Sequence, residues 1–144
     1  MSRSSRLKIV ERLAVQREEQ AAQALAQVRA QIETEEKRLE ELVSYRQEYL
    51  SYLDEQGTKG ISMQQWHRTQ SFIDQLATLS GRQQQTIEGW RSREQQILEK
   101  WRELYQRRKN IGRFIDKIST EEAIAADKQE QKLIDELVNQ RYSG

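Results

Sequence analysis

Apolar residues recur along the chain at alternating steps of four and three. The first run is Ala14, Ala21, Leu25, Val28, Ile32, Leu39, Leu42, Tyr49 and Leu53, with Glu18, Glu35 and Arg46 as polar exceptions. A 3.5-residue repeat keeps one stripe turned toward a partner helix, so the pattern predicts a helix over about 3–56. The repeat stops at Glu55–Ile61, where Gly57 and Gly60 predict a turn over 57–61. Ser62 and Gln65 then offer a capping box. A second run follows: Trp66, Ile73, Leu76, Ile87, Trp90, Ile97, Trp101, Leu104, Ile111, Ile115 and Ile118. One heptad position is especially regular, since Leu76, Gln83, Trp90, Ile97, Leu104, Ile111 and Ile118 are seven apart and only Gln83 is polar. Past Ile118 the pattern thins, but Ile124, Leu133, Ile134, Leu137 and Val138 continue an amphipathic helix, for a second helix over about 62–140.

A short loop makes neighbouring helices antiparallel. The expected fold is therefore all-α, a single antiparallel two-helix coiled-coil hairpin over 1–144 with the second helix longer than the first. At 1.5 Å per residue the helices would be roughly 80 and 115 Å long. A turn centred near residue 59 sets Leu42 opposite Leu76, Leu39 opposite Leu79, Val28 opposite Trp90, and Tyr45 beside Phe72. Charge agrees with this pairing. Residues 21–60 carry 5 basic and 8 acidic groups, and residues 61–113 carry 10 basic and 5 acidic. Each exposed pair contributes only about 0.2–1 kcal/mol, so complementarity selects the pairing more than it stabilises it. Residues 114–144 have no partner within the hairpin and must overhang, fray or meet another protein.

Composition sharpens the picture. The 144 residues include no proline and no cysteine, and 33% are charged. Helix formers dominate, with glutamine alone occurring 20 times. The missing prolines mean that only one break, at Gly57 to Gly60, is expected. Without cysteine there is no disulfide framework and no thiolate metal site. No apolar run is long enough to span a bilayer, and the basic N-terminus lacks the apolar stretch of a secretory signal. A cytoplasmic address follows as the expectation.

Catalytic chemistry finds little to work with. The single histidine, His67, reads as a surface or packing residue. The carboxylates are spread along solvated faces rather than clustered as metal ligands. Gly57–Gly60 lacks the spacing and preceding strand of a phosphate loop. The basic run Arg107–Lys109 beside Tyr105 sits in a chain of pI about 8.0 with acids interleaved, so it reads as an ion-paired face rather than a nucleic-acid site. Mixed charge likewise argues against a membrane-surface helix. The expectation is no enzyme, no cofactor, no metal and no small-molecule ligand. What stands out is aromatic. Tyr45, Tyr49 and Tyr52 on the first helix and Trp66 and Phe72 on the second lie near the turn, and Tyr45 and Phe72 fall one position off the apolar stripe. Off-stripe aromatics on a two-helix hairpin are partly exposed, as interface anchors are.

These residues carry a family likeness. Leu42-Val-Ser-Tyr45-Arg-Gln-Glu-Tyr49, Gly60-Ile61, Trp66, Gln70-Ser-Phe72-Ile73, Leu76, Trp101-Arg-Glu and the stretch Ala126 to Leu137 resemble the flagellar type III export protein FliJ family over nearly the whole chain. The resemblance implies a non-enzymatic, stalk-like antiparallel coiled coil. Its family inserts helical ends into the export ATPase FliI hexamer and promotes its activity, contacts the cytoplasmic side of the export gate protein FlhA, and escorts export chaperones. That implies a cytoplasmic protein held peripherally at the inner-membrane face by the export apparatus, serving flagellum biogenesis and motility. The family's gate-binding strip falls on Arg38, Leu42, Tyr45, Tyr49, Phe72, Leu76, Leu79 and Gln83. Arg38, Leu79 and Gln83 depart from the family's glutamine, alanine and histidine at those places. For the ATPase ring, the basic end Arg3, Arg6, Lys8 and Arg12 is the expected contact. Two alternatives stay open: the injectisome counterpart of such a stalk, and an oligomeric coiled-coil scaffold outside export.

Overall fold

The computed structural model describes residues 2–143 and holds two helices, α1 (Arg3–Lys59) and α2 (Met63–Ser143), joined by a three-residue turn into a helical hairpin. No strand occurs among the described residues. Both helix starts are capped as the local sequence dictates. Ser2 Oγ accepts from the Ser5 amide at 3.2 Å, and Ser62 Oγ accepts from the Gln65 amide at 3.2 Å. Each serine satisfies an amide that the first turn leaves without a helical partner.

The first helix runs past its expected end. Gly57 stays helical and the chain turns at Gly60, whose φ of 85° lies in the left-handed region. A residue of that conformation ends a helix, and glycine adopts it without a Cβ penalty. The break therefore lies at residues 60–62 rather than 57–61, and the hairpin centre moves from residue 59 to about residue 61. Facing residues shift only in part, since Glu35 with Gln83 keeps the sum of 118 that a centre at residue 59 sets. Cross-helix partners run from Glu35 with Gln83 to Glu36 with Arg91, whose numbers sum to 118 and 127.

Packing divides the chain into two units: a terminal unit, Met1–Ala21 with Lys100–Gly144, and a tip unit, Ala22–Glu99. The tip unit buries Leu25, Val28 and Ile32 from α1 and Ile73, Leu76 and Ile87 from α2. The terminal unit buries Ala14, Ile115 and Ile118. All nine are apolar residues of the heptad repeat, so the 3.5-residue period does set the seam in each unit. Trp90 and Ile97 in the tip unit, and Leu104 and Ile111 in the terminal unit, are half-buried. Two helices alone cannot enclose side chains of that size. Salt bridges flank the tip-unit seam at Arg91–Glu36 (2.7 Å) and Arg29–Glu94 (3.3 Å).

Three polar members of the seam find specific partners. In the terminal unit, Arg108 donates to the Glu18 carboxylate, which holds the Arg108 guanidinium above its ordinary pKa. There also, Ser4 donates from its hydroxyl (2.6 Å) and its amide (3.2 Å) to Glu122. A carboxylate at the start of α1 meets the positive end of the helix dipole. The Ser4 hydroxyl and then the Ser4 amide hold the Glu122 carboxyl below the usual range. In the tip unit the partner pair is Glu35 with Gln83.

Candidate partner-binding surfaces

The expected strip is laid out by helical spacing. Residues 38, 42, 45 and 49 on α1 and 72, 76, 79 and 83 on α2 each step by four or three, so each set lines one helix face. In the tip unit the eight side chains separate into three roles. Tyr45 (52% exposed), Tyr49 (38%), Phe72 (40%) and Leu79 (45%) are open to solvent. Leu76 is buried and Leu42 half-buried, so both belong to the seam. Arg38 and Gln83 both bond Glu35, Arg38 through an ion pair at 3.1 Å while its side chain stays 62% exposed, and Gln83 through its side-chain amide.

The aromatic pairing differs from the expected one. Phe72 meets Tyr49, not Tyr45: the ring centroids are 4.8 Å apart and the planes cross at 73°. This edge-to-face geometry suits the ring quadrupoles. Tyr49 holds an apolar heptad position but is not core. A seam spaced for aliphatic side chains, with helix axes about 8–10 Å apart, leaves no room for two rings in one layer. The pair is displaced toward solvent. Around it the tip unit exposes Val43, Tyr52, Met63 and Trp66, and Trp66 stacks edge-on against His67 at 5.3 Å. Val43 and Met63 were not expected here, although both sit off the heptad stripe, and that signal could have found them.

In the terminal unit Arg3, Arg6, Lys8 and Arg12 are all exposed on α1. Arg3 also lies over the Phe114 ring, 5.5 Å from its centroid. Sequence reasoning missed the apolar company these cations keep: Ile9, Val10 and Leu13 are exposed on the same helix. A shallow cleft lined by Val10, Leu13, Ala14, Leu104 and Ile111 lies there, with Arg17 and Arg107 among its lining residues. Beyond Glu122 every described side chain of α2 through Tyr142 is exposed. Leu133, Ile134, Leu137 and Val138 do not continue the hairpin seam, whose next positions, Ala125, Gln129, Lys132 and Glu136, are mostly polar. The overhang thus turns a different stripe outward.

The described residues include no cluster of three metal-ligating side chains, and none of their helices is long and apolar enough to cross a membrane.

The profile of the family described as "Flagellar FliJ protein" matches residues 3–144. The chain belongs to the FliJ family. It is also 27% identical to the Flagellar FliJ protein of Escherichia coli (strain K12) over 136 residues, which cover 94% of this chain and 92% of that protein. No solved structure matches it. FliJ membership supports a component of the flagellar export apparatus, and it favours the flagellar reading over the injectisome and scaffold alternatives.

Proposed function

We propose that this FliJ-family chain works as a non-enzymatic linker of flagellar export, docking the export gate protein FlhA with its tip unit and the export ATPase FliI hexamer with its terminal unit. The observation that carries the reading is the solvent-exposed Tyr49–Phe72 pair, held edge to face and accompanied by exposed Tyr45 and Leu79. Aromatic side chains of this kind anchor interfaces because they bury a large area with few rotatable bonds. Within the expected strip these four are the docking contacts. Leu42 and Leu76 hold the helices together beneath them.

The terminal unit supports the second half of the reading. Exposed Arg6, Lys8 and Arg12, exposed Ile9, Val10 and Leu13, and the apolar stripe of the overhang give it both charge and apolar area for a large partner. Arg3, shared with Phe114, positions that end rather than reaching outward. Chaperone escort would use whichever of these surfaces the gate and the ATPase leave free.

Calorimetric titration of the chain against the cytoplasmic region of FlhA tests the reading. Tyr45→Ala with Phe72→Ala should weaken binding at least tenfold, while deletion of residues 1–12 should leave it intact and abolish stimulation of the ATPase. Unchanged affinity in the double variant refutes the tip assignment. Intact stimulation after the deletion reverses the polarity.

A further inference from the structure

Glu35 is an ionisable side chain in the middle of an apolar seam, and it is only 5% exposed. Leu25, Val28 and Ile32 precede it on α1, and Leu39 and Leu42 follow at the same spacing. A carboxylate buried this way is tolerated only when its oxygens are occupied. They are. Gln83 donates from across the seam to one oxygen and, through the same nitrogen, to the Glu35 backbone carbonyl at 2.9 Å. Gln31 (2.9 Å) and Arg38 (3.1 Å) donate to the other oxygen from the same helix. The Gln83 hydrogen bond foremost, with those of Gln31 and the charge of Arg38, holds the carboxyl below its usual range against the opposing effect of burial.

The surrounding seam does not by itself choose one register. Heptad-related positions on α2 are apolar on both sides of Gln83: Leu76 lies seven residues before it and Trp90 seven after. A slip of one heptad keeps some layers apolar but brings polar Ser80, Gln83 and Glu94 to the places that Ile73, Leu76 and Ile87 fill. Glu35 would then face Leu76 or Trp90 and lose its bond from Gln83, while Gln83 would face Val28 or Leu42 with no carboxylate to bond. A single polar layer of this sort fixes register in coiled coils. The same slip would separate Tyr49 from Phe72.

We propose that the Glu35–Gln83 layer is the register lock of the tip unit, and that Gln83 and Arg38 serve Glu35 as positioning residues instead of touching the gate partner. The lock stands on the packing alone, whereas the statement about the partner rests on the docking reading above.

Nitroxide labels on Ser44→Cys and Thr78→Cys, exposed on the two helices of the tip unit, report the register in a chain with no cysteine of its own. The parent gives one interlabel distance. Glu35→Leu with Gln83→Leu should stay folded, with a Tm no lower than the parent, yet show a second, longer-distance population, because a slip of about 10 Å along the axis adds to the lateral label separation in quadrature. Gate affinity should fall in proportion to the fraction displaced, so a half-slipped population binds about twofold more weakly. Glu35→Gln, whose amide oxygen still accepts from Gln83, should keep the single distance. Arg38→Ala should keep the single distance with affinity within twofold of the parent. A single distance in the double leucine variant overturns the lock. A tenfold loss in Arg38→Ala at unchanged distance makes Arg38 a contact and overturns the positioning role. If the distances split as expected while the parent shows no affinity for the gate, the lock holds and the docking reading fails.

Discussion

Phe72 and Ile73 are neighbours in sequence with opposite work to do, and their alanine variants should separate packing from docking. Ile73 is 1% exposed and sits in the tip-unit seam, whereas the Phe72 ring leans outward on Tyr49. Ile73→Ala deletes three carbon atoms. At about 0.8 kcal/mol for each methylene-sized group, the transfer loss is about 2.4 kcal/mol. The cavity left behind adds to it, placing the substitution within the usual range of about 2–5 kcal/mol. A two-helix seam is open at its sides and can close partly on the gap, so a value near 3 kcal/mol is expected. Phe72→Ala loses its aromatic pair, about 0.5–1.5 kcal/mol, and a partial share of apolar area, for a total of about 1–2 kcal/mol. Urea unfolding followed by ellipticity at 222 nm measures both, with an unchanged m-value confirming that the same surface is exposed. Gate affinity should move the other way: strongly reduced in Phe72→Ala and near normal in Ile73→Ala at a temperature where that variant is folded. Equal stability losses would make Phe72 a core residue. A loss under 1 kcal/mol in Ile73→Ala would remove Ile73 from the seam.

Three further outcomes follow from the same structure. Gly81 lies inside α2 with open space where a Cβ would stand, so Gly81→Ala should raise stability by about 0.5–1 kcal/mol in urea unfolding, through helix propensity alone. Ser62→Ala removes the cap of α2 and should cost about 1 kcal/mol in the same assay. Glu35 and Glu122 have folded pKa values below their unfolded ones, so the stability they contribute is present above the ordinary carboxylate range and is lost as pH falls through the folded values. Tm should therefore drop on acidification below about pH 5, and Glu122→Gln should flatten that dependence.

Much of the hairpin was legible because a 3.5-residue period leaves a strong mark on sequence. Ala14, Leu25, Val28, Ile32, Ile73, Leu76, Ile87, Ile115 and Ile118 could be named as seam residues from spacing alone, and they are buried. The turn was legible only to within three residues. Gly57 and Gly60 look alike in sequence, and what separates them is a φ of 85° that only Gly60 adopts. The facing pairs near the turn moved with it, and Phe72 met Tyr49 instead of Tyr45, while Glu35 with Gln83 kept the expected register. Tyr49 shows the limit of pattern reading, because its heptad position says core while the size of two facing rings says otherwise. Glu35 was visible as a polar exception, but its partners were not: whether such a residue is a defect or a lock depends on what stands across the seam. The correspondence in position that assigns Arg38 and Gln83 to a binding strip cannot see that both already bond Glu35.

Hydrogen–deuterium exchange of the chain alone and with the cytoplasmic region of FlhA tests the central claim most directly, since it maps the docking surface without altering a residue. Slowed exchange over residues 42–52 and 66–79, with the terminal unit unchanged, is the predicted footprint. Protection over residues 3–13 and 123–142, with the Tyr49–Phe72 region unchanged, would contradict it.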